Sequence, residues 1–275
     1  MPELPEVETT RRGIATLMPG RQLQQFVVYE HRMRWPVPED LPLIISGHTV
    51  LSCGRRGKYL LINFTHGTQI VHLGMSGSLR RVPFDEPMRK HDHAEWIFAE
   101  SRFLLHDPRR FGAILWHDAA QGPVTDHPLL AKLGIEPFNK QLTPAWFHQQ
   151  LQGRKQAIKQ VLLAGTVVVG VGNIYASEAL FRARINPQTA AGGLSLARCT
   201  RLLDAIQRTL TDALNSGGST LRDYTNATGE PGAYFELHAA VYEKAGKPCT
   251  NCTTPIRRIV QGQRATYYCP KCQRH

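Results

Sequence analysis

Near residue 124 the apolar pattern of this 275-residue chain changes period, and that change limits the folds open to it. Before it, short runs of apolar residues recur at close spacing: Gln22–Tyr29, Val50–Arg55, Tyr59–Phe64, Gln69–Leu73, Ser78–Val82, Ala94–Phe98, Phe103–His106 and Ala113–His117. Gly, Pro, Asp and His punctuate them, as strand-linking turns require. Many short strands joined in this way predict an antiparallel sandwich or barrel. A short helical segment, roughly Glu3 to Leu17, comes first. After the change, apolar residues fall at i, i+3 and i+4 in Trp146–Leu151, Ala157–Leu163, Ile174–Ala183 and Leu196–Leu214. The last of these stops at Ser216-Gly217-Gly218, and Ala164-Gly165 marks another helix end. The stretch Gly217–Tyr234, rich in Gly, Ser, Thr and Asn, reads as a long loop of the kind that carries function.

The cysteines constrain the end of the chain. Cys53 and Cys199 are isolated and read as small packed hydrophobes. The other four form Cys249-x2-Cys252-x16-Cys269-x2-Cys272, the spacing of a four-thiolate zinc ribbon. Such a site is closed, so the expected zinc is structural. Lys plus Arg exceed Asp plus Glu by 33 to 22, a formal charge of +11. Four thiolates on one Zn2+ add −2, which leaves about +9. That excess implies a polyanionic partner, nucleic acid before anionic membrane. No apolar run reaches the length of a membrane span and no signal peptide opens the sequence, so a cytoplasmic setting is expected.

Several motifs each admit a structural and a chemical reading. Pro2 and Pro5 with Glu3, Glu6 and Glu8 suit the start of a helix. If Met1 is removed, Pro2 also becomes a secondary amine beside a carboxyl group. A terminal amine titrates at about 7.7–8.0, so part of it is neutral and nucleophilic near neutral pH. Val167–Tyr175 runs from apolar to Gly-rich to helical, with Asn173 as the helix N-cap or as a phosphate seat at that helix start. Lys58 sits at an expected hairpin, Arg55-Arg56-Gly57-Lys58. Met75, between glycines, and Phe111, beside Arg109 and Arg110, are core residues in one reading. In the other they wedge into a base stack. Between Lys244 and His275 there are seven basic residues and no acidic one, either a solvated run or a nucleic-acid contact. Lys90-His91-Asp92-His93 reads as a polar, DNA-facing segment in preference to a metal site. No Walker loop, G-x-S-x-G, H-E-x-x-H or Rossmann fingerprint is present.

Taken together these residues resemble the bacterial formamidopyrimidine-DNA glycosylases along essentially the whole chain. The anchors are Pro2–Thr9, Gly57–Leu60, Leu73–Gly77, Lys90–His93, Asp107–Gly112, Gly170–Ala176 and Gln263–Cys269. Leu4, with Arg109 and Phe111, points to the purine-repair branch; the endonuclease VIII group typically begins Pro-Glu-Gly-Pro-Glu. The resemblance implies an α+β multidomain protein: an N-terminal antiparallel β-sandwich with a leading helix (1–123), a helical domain with a helix–two-turn–helix (124–234) and a zinc ribbon (235–275). It implies a bifunctional glycosylase/AP lyase that removes oxidised purines from double-stranded DNA. One structural zinc, no organic cofactor, no membrane and a monomeric state go with it, in the bacterial cytoplasm at the nucleoid.

The roles it implies are specific. Pro2 is the nucleophile and Glu3 the general acid/base, with Lys58 and Arg264 completing the catalytic set. His72 and Asn173 join Lys58 and Arg264 in holding phosphates, Lys155 binds DNA, and His91 faces DNA. Met75, Arg109 and Phe111 fill the space left by an everted base, with Arg109 against the orphaned cytosine. The loop from Ser219 to Tyr224 closes over the lesion, and Glu6 is a structural and electrostatic support. Two alternatives stay open: an oxidised-pyrimidine glycosylase of the same architecture, and an inert zinc-ribbon DNA-binding protein.

Overall fold

The computed structural model describes residues 2–219 and 232–275, and the chain divides into two compact units. The first takes in residues 1–131 and 216–235; the second takes in 132–215 and 236–275.

In the first unit, helix α1 (Leu4–Ala15) is followed by β1 (Gln25–Val28), a short α2 (Leu41–Ile45), β2 (Ser52–Arg56), β3 (Tyr59–Phe64), β4 (Gly67–His72), β5 (Ser78–Val82), β6 (Asp92–Ile97), β7 (Arg102–His106) and β8 (Ala113–Asp118). The strands form two four-stranded antiparallel sheets, ordered β1-β6-β7-β5 and β2-β3-β4-β8. Strand β3 shows the reason for its pairing in its sequence: alternate residues Leu60, Ile62 and Phe64 are buried, and the residues between them are half-exposed. One apolar cluster draws from both sheets and from α1. It includes Phe26, Trp96, Phe103 and Leu105 of one sheet, Leu60, Ile62, Val71 and Ile114 of the other, and Val7 and Ile14 of the helix. The sandwich is therefore held by a shared core, with α1 packed into it.

The second unit contains α3 (Pro144–Leu151), α4 (Ile158–Ala164), α5 (Asn173–Arg182) and α6 (Leu196–Asn215), then the hairpin β9 (Arg257–Gln261) and β10 (Arg264–Tyr268). A further short helix, α7 (Tyr234–His238), precedes the ribbon. Thr143 caps α3 by accepting from the Trp146 N–H, and Gly165, at φ +68°, ends α4 in the left-handed conformation that glycine adopts without strain. Helix α6 buries Cys199, Leu202, Leu203, Ile206, Leu210 and Ala213, a stripe at helical spacing. Among the described residues no helix is long and apolar enough to cross a membrane.

Candidate active site and nucleic-acid interface

The start of α1 fixes the first candidates. Leu4 and Pro5 open the helix, and Glu3 is its N-cap with extended backbone. A reciprocal capping box forms: the Glu3 N–H donates to Glu6 Oε2 at 2.7 Å, and the Glu3 side chain takes the Glu6 N–H. Pro2, Glu3 and Glu6 are all buried. The other Glu6 oxygen, Oε1, accepts the Ser219 N–H at 2.7 Å. Glu6 thus ties the N-terminal turn to the residue that closes the 217–219 segment. Gly218 is required beside it: it stands at φ +87°, and a Cβ there would meet Glu6 Oε1 at 2.9 Å. Ser219 also bridges to Ala233. Tyr224, the other lesion-loop candidate, lies outside the described residues.

Lys58 follows Gly57, which takes φ +57° in the β2–β3 turn. Arg55 braces that turn. Its Nη1 donates to the Gly57 carbonyl at 2.8 Å and its Nε to Glu8 Oε2 at 3.1 Å. Burial would raise the Glu8 pKa, but hydrogen bonds from Arg11, Arg12 and Arg55 outweigh it and hold the carboxyl at about 2. Helix α1 and the Lys58 turn are therefore joined by one carboxylate and one guanidinium.

His72 pairs with Tyr59 in the β3–β4 register, their rings 4.8 Å apart. Burial, then the charges of Lys58 and Arg34, lower its pKa to about 4. It is neutral near pH 7, and its Nδ1 accepts the Gly74 N–H at 3.1 Å. The proton is then on Nε2, which makes the ring a neutral donor beside cations.

The candidate wedge residues come together through backbone contact. Gly74, at φ +66°, lies so close to the next loop that a Cβ would stand 2.4 Å from the Gly112 nitrogen and 2.5 Å from the Phe111 carbonyl carbon. Met75 is 42% exposed and Phe111 47% exposed, so neither is a core residue, and Arg109 is exposed beside them. Sequence reasoning gave no role to the residue that organises this pair of loops. Asp107, fully buried, accepts the Gly112 N–H at 2.7 Å and the Ser76 hydroxyl at 3.2 Å, with the Arg109 N–H at 3.4 Å. The available signal was an Asp-Pro pair with a glycine five residues on, a turn pattern. His91 is half-buried at φ +78°, its ring edge-on to His93 and His106, and its carbonyl accepts the Asp107 N–H.

In the second unit, the N-cap expectation at α5 needs correction by one residue. Gly172, with extended backbone, is the N-cap, and Asn173 is the first helical residue. The Asn173 amide instead donates to the Ala265 carbonyl at 3.0 Å and lies 3.3 Å from the Tyr242 hydroxyl. Its Oδ1 is buried with no partner among the described residues. Ala265 follows Arg264, which is exposed at a hairpin turn where Gly262 and Gln263 both take positive φ, as a two-residue hairpin of this type demands. Asn173 and Arg264 are thereby brought to one place.

Two residues missed in the sequence hold that arrangement. Lys159, fully buried on α4, donates to the Ala265 carbonyl at 3.2 Å and to the Thr266 hydroxyl at 2.8 Å. Glu178 on α5 accepts the backbone N–H groups of Ala240, Val241 and Tyr242 at 2.8, 3.0 and 2.7 Å. Burial pushes its pKa up against those three bonds. Either residue, in a helix of apolar period, gives no local sign of its tertiary partner. Lys155 is exposed between α3 and α4.

The four ribbon cysteines have their sulfurs within 4.8 Å of one another, with Cys249–Cys272 at 3.9 Å and Cys252–Cys269 at 3.5 Å. A tetrahedron of thiolates at a Zn–S distance of 2.3 Å has edges of about 3.8 Å, so this donor set fits one structural Zn2+. Among the described residues it is the one group of three or more His, Cys, Asp or Glu arranged to hold a metal. Burial raises the Cys53 thiol to about 12 and the Cys199 thiol to about 11, as expected of packed, unreactive cysteines.

Comparison with known proteins agrees along the chain. Residues 1–114 match the formamidopyrimidine-DNA glycosylase N-terminal domain, residues 133–225 the formamidopyrimidine-DNA glycosylase H2TH domain and residues 246–274 the zinc finger found in FPG and IleRS. A formamidopyrimidine-DNA glycosylase of Bordetella pertussis is 67% identical over 274 residues, and one of Burkholderia vietnamiensis is 56% identical over 276; each alignment covers all of both chains. Among solved structures, a complex between Lactococcus lactis Fpg and DNA containing an abasic site is 34% identical with a TM-score of 0.91. It covers 99% of this chain and 100% of that one. A sandwich with Pro2–Glu3 at its leading helix, a helical unit and a four-thiolate ribbon, each matched by a family model and aligned end to end with a relative 67% identical, place the chain in the formamidopyrimidine-DNA glycosylase family.

Proposed function

We propose that this chain is a bifunctional DNA glycosylase and AP lyase of base excision repair, excising 8-oxoguanine and formamidopyrimidines from duplex DNA. The observation that carries the reading is the buried capping box, which sets Pro2 and Glu3 at the head of α1 and clamps them through Glu6 to Ser219. The target carbon is inaccessible in a stacked duplex, so the nucleotide is everted first. Met75, Arg109 and Phe111, on two loops fixed by Asp107, occupy the gap, and Arg109 faces the orphaned base. Lys58 and His72 in the first unit, and Asn173, Arg264 and Lys155 in the second, hold phosphates. His91 lines the DNA face.

With Met1 removed, the Pro2 nitrogen attacks C1′ and gives up its proton, and the bond to the base breaks with its electron pair leaving on the base. Glu3 supplies a proton to the sugar ring oxygen as it opens. The resulting iminium carries a fixed positive charge and accepts the electron pair released when a C2′ proton leaves, so the 3′ phosphate is expelled. A second elimination expels the 5′ phosphate, and hydrolysis of the iminium releases the unsaturated sugar remnant and frees Pro2, leaving a one-nucleotide gap with phosphate ends. Zinc held by Cys249, Cys252, Cys269 and Cys272 stiffens the hairpin that presents Arg264. In this reading residues 1–123 carry the chemistry, 124–234 the helical DNA contacts and lesion loop, and 235–275 the ribbon.

A second reading has a specific basis. A solved structure of the Lactococcus lactis protein, 33% identical, is a complex with DNA containing an oxidised pyrimidine. Parallel excision assays on duplexes bearing 8-oxoguanine or thymine glycol separate the two. Faster release of 8-oxoguanine supports the purine assignment, and release of thymine glycol alone overturns it. Glu3→Gln is expected to retain duplex binding and lose base excision.

A further inference from the structure

The second unit contains an open cavity of about 630 Å³ lined by Arg184, Arg198, Arg201, Lys271 and Arg274, with Asn251 as a neutral polar group. No carboxylate side chain is among the residues that line it. Elsewhere the arginines are commonly paired: Arg11, Arg55, Arg80, Arg102 and Arg182 each sit on a carboxylate. None of the five cavity cations has an acidic partner among the described residues. Among the described residues, the one side-chain hydrogen bond of a cavity cation runs from Arg198 Nη2 to the Arg274 carbonyl at 3.0 Å. That carbonyl also accepts the Asn186 N–H, and Ile185 bridges to Arg274, so the final segment is pinned to form the cavity wall. Arg184 takes φ +58°, a left-handed backbone that arginine seldom adopts.

The zinc centre does not account for this charge. Cys252 and Cys272 also line the cavity, and a zinc tetrathiolate carries −2. Five cations against it leave about +3, and a terminal carboxylate on His275 would leave about +2. Burial first, and then the charge of Arg201, lower the pKa of Arg198.

We infer that this cavity is a second phosphate-binding site, separate from the one at Arg264, built for two or more phosphate oxyanions at once. Guanidinium groups bind phosphate oxygens in pairs, and several converging on one concavity favour a compact polyanion over a single ion. The cavity lies by the zinc end of the β9–β10 hairpin, whereas Arg264 is at its turn, roughly 14 Å away along strands of this length. The phosphates come either from the DNA backbone beyond the lesion or from a free polyphosphate.

The test uses the full zinc-loaded protein and the double variant Arg184→Asn, Arg201→Gln. Neither side chain makes a hydrogen bond within the described residues, and Asn suits the left-handed position. Zinc content and thermal midpoint are measured on both proteins, before and after titration. Calorimetric titration with inorganic tripolyphosphate is expected to show saturable binding that the double variant weakens by at least about tenfold. Arg264→Gln is expected to leave that binding in place. Duplex affinity measured against salt then identifies the source. A slope reduced by about 2 on a long lesion duplex but not on a short one assigns the site to DNA. Unchanged slopes on both, with tripolyphosphate binding lost, assign it to free polyphosphate. Wild-type titration curves and salt slopes in the double variant overturn the inference. Borohydride trapping on the short duplex is expected to be the same in both proteins, so the lyase reading stands or falls separately. Arg201→Glu is the second variant, and it too is expected to lose tripolyphosphate binding.

Discussion

Glu6→Gln tests the clamp at the head of α1. In the native protein one buried carboxylate takes two backbone N–H groups, from Glu3 and from Ser219, both at 2.7 Å. Glutamine offers one oxygen and one NH2, so one of those N–H groups loses its acceptor and meets a donor. Losing a hydrogen bond to a charged group costs about 1.5–3 kcal/mol, and leaving the donor buried keeps the loss near the upper part of that range, about 3 kcal/mol. With a urea slope of 2–3 kcal/mol/M for a domain of this size, the midpoint falls by about 1 M. Trp96, buried in the first-unit core, provides the fluorescence signal. Ser219→Ala is the matched control. The bond comes from the Ser219 backbone, and its Oγ is buried without a partner among the described residues, so that variant keeps or raises the midpoint. The rate of Schiff-base formation is expected to fall about tenfold in Glu6→Gln, because 1.4 kcal/mol of lost positioning is a factor of ten. A midpoint within about 0.2 M of wild type, at full lyase rate, would refute the clamp.

Asp107→Asn puts an amide against the Gly112 N–H and is expected to cost about 2 kcal/mol. It should also lower the preference for lesion over undamaged duplex about tenfold in competition binding, while the salt slope stays as in wild type. His72 gives a pH signature. Its folded pKa of about 4 lies below its ordinary value of 6.5, so the folded state binds fewer protons. Its contribution is present above pH 6.5 and is lost as pH falls towards 4, by a few kcal/mol at most. Thermal midpoints of His72→Gln should therefore fall less over that window; equal slopes would contradict it. Cys252→Ser should release zinc and weaken duplex binding while the Trp96 unfolding transition stays in place; full affinity in the metal-free protein would count against the ribbon's role. Glu178→Gln leaves one of three N–H groups without an acceptor and should cost about 2 kcal/mol, read as faster proteolysis near residues 239–242.

Strands with a clear period were readable in the sequence. Tyr59–Phe64 and Ser78–Val82 fall where the alternation puts them, and most other boundaries move by one to three residues. Helix α2 was missed because five residues containing a proline have no helical period to read. The ribbon was readable from its cysteine spacing, but the bounds of its hairpin strands were not, because Arg257, Arg258 and Val260 are exposed and no apolar alternation marks β9. Asn173 was displaced by one position as a cap because glycine serves at an N-cap too, and its own amide is drawn to Ala265. Pro2, Glu3 and the four cysteines stood out because their chemistry depends on residue type and spacing. Asp107, Lys159 and Glu178 did not. Each acts mainly on backbone groups brought near by the tertiary fold, and backbone partners leave no trace in composition.

The central claim is that the Pro2 nitrogen forms the covalent bond to the damaged sugar. Mass spectrometry of the peptide cross-linked by borohydride to an 8-oxoguanine duplex tests it directly. The account predicts that Met1 is absent and that the adduct sits on Pro2. An adduct on Lys58 or another lysine, or none at all on a protein whose Pro2 is free, would contradict it.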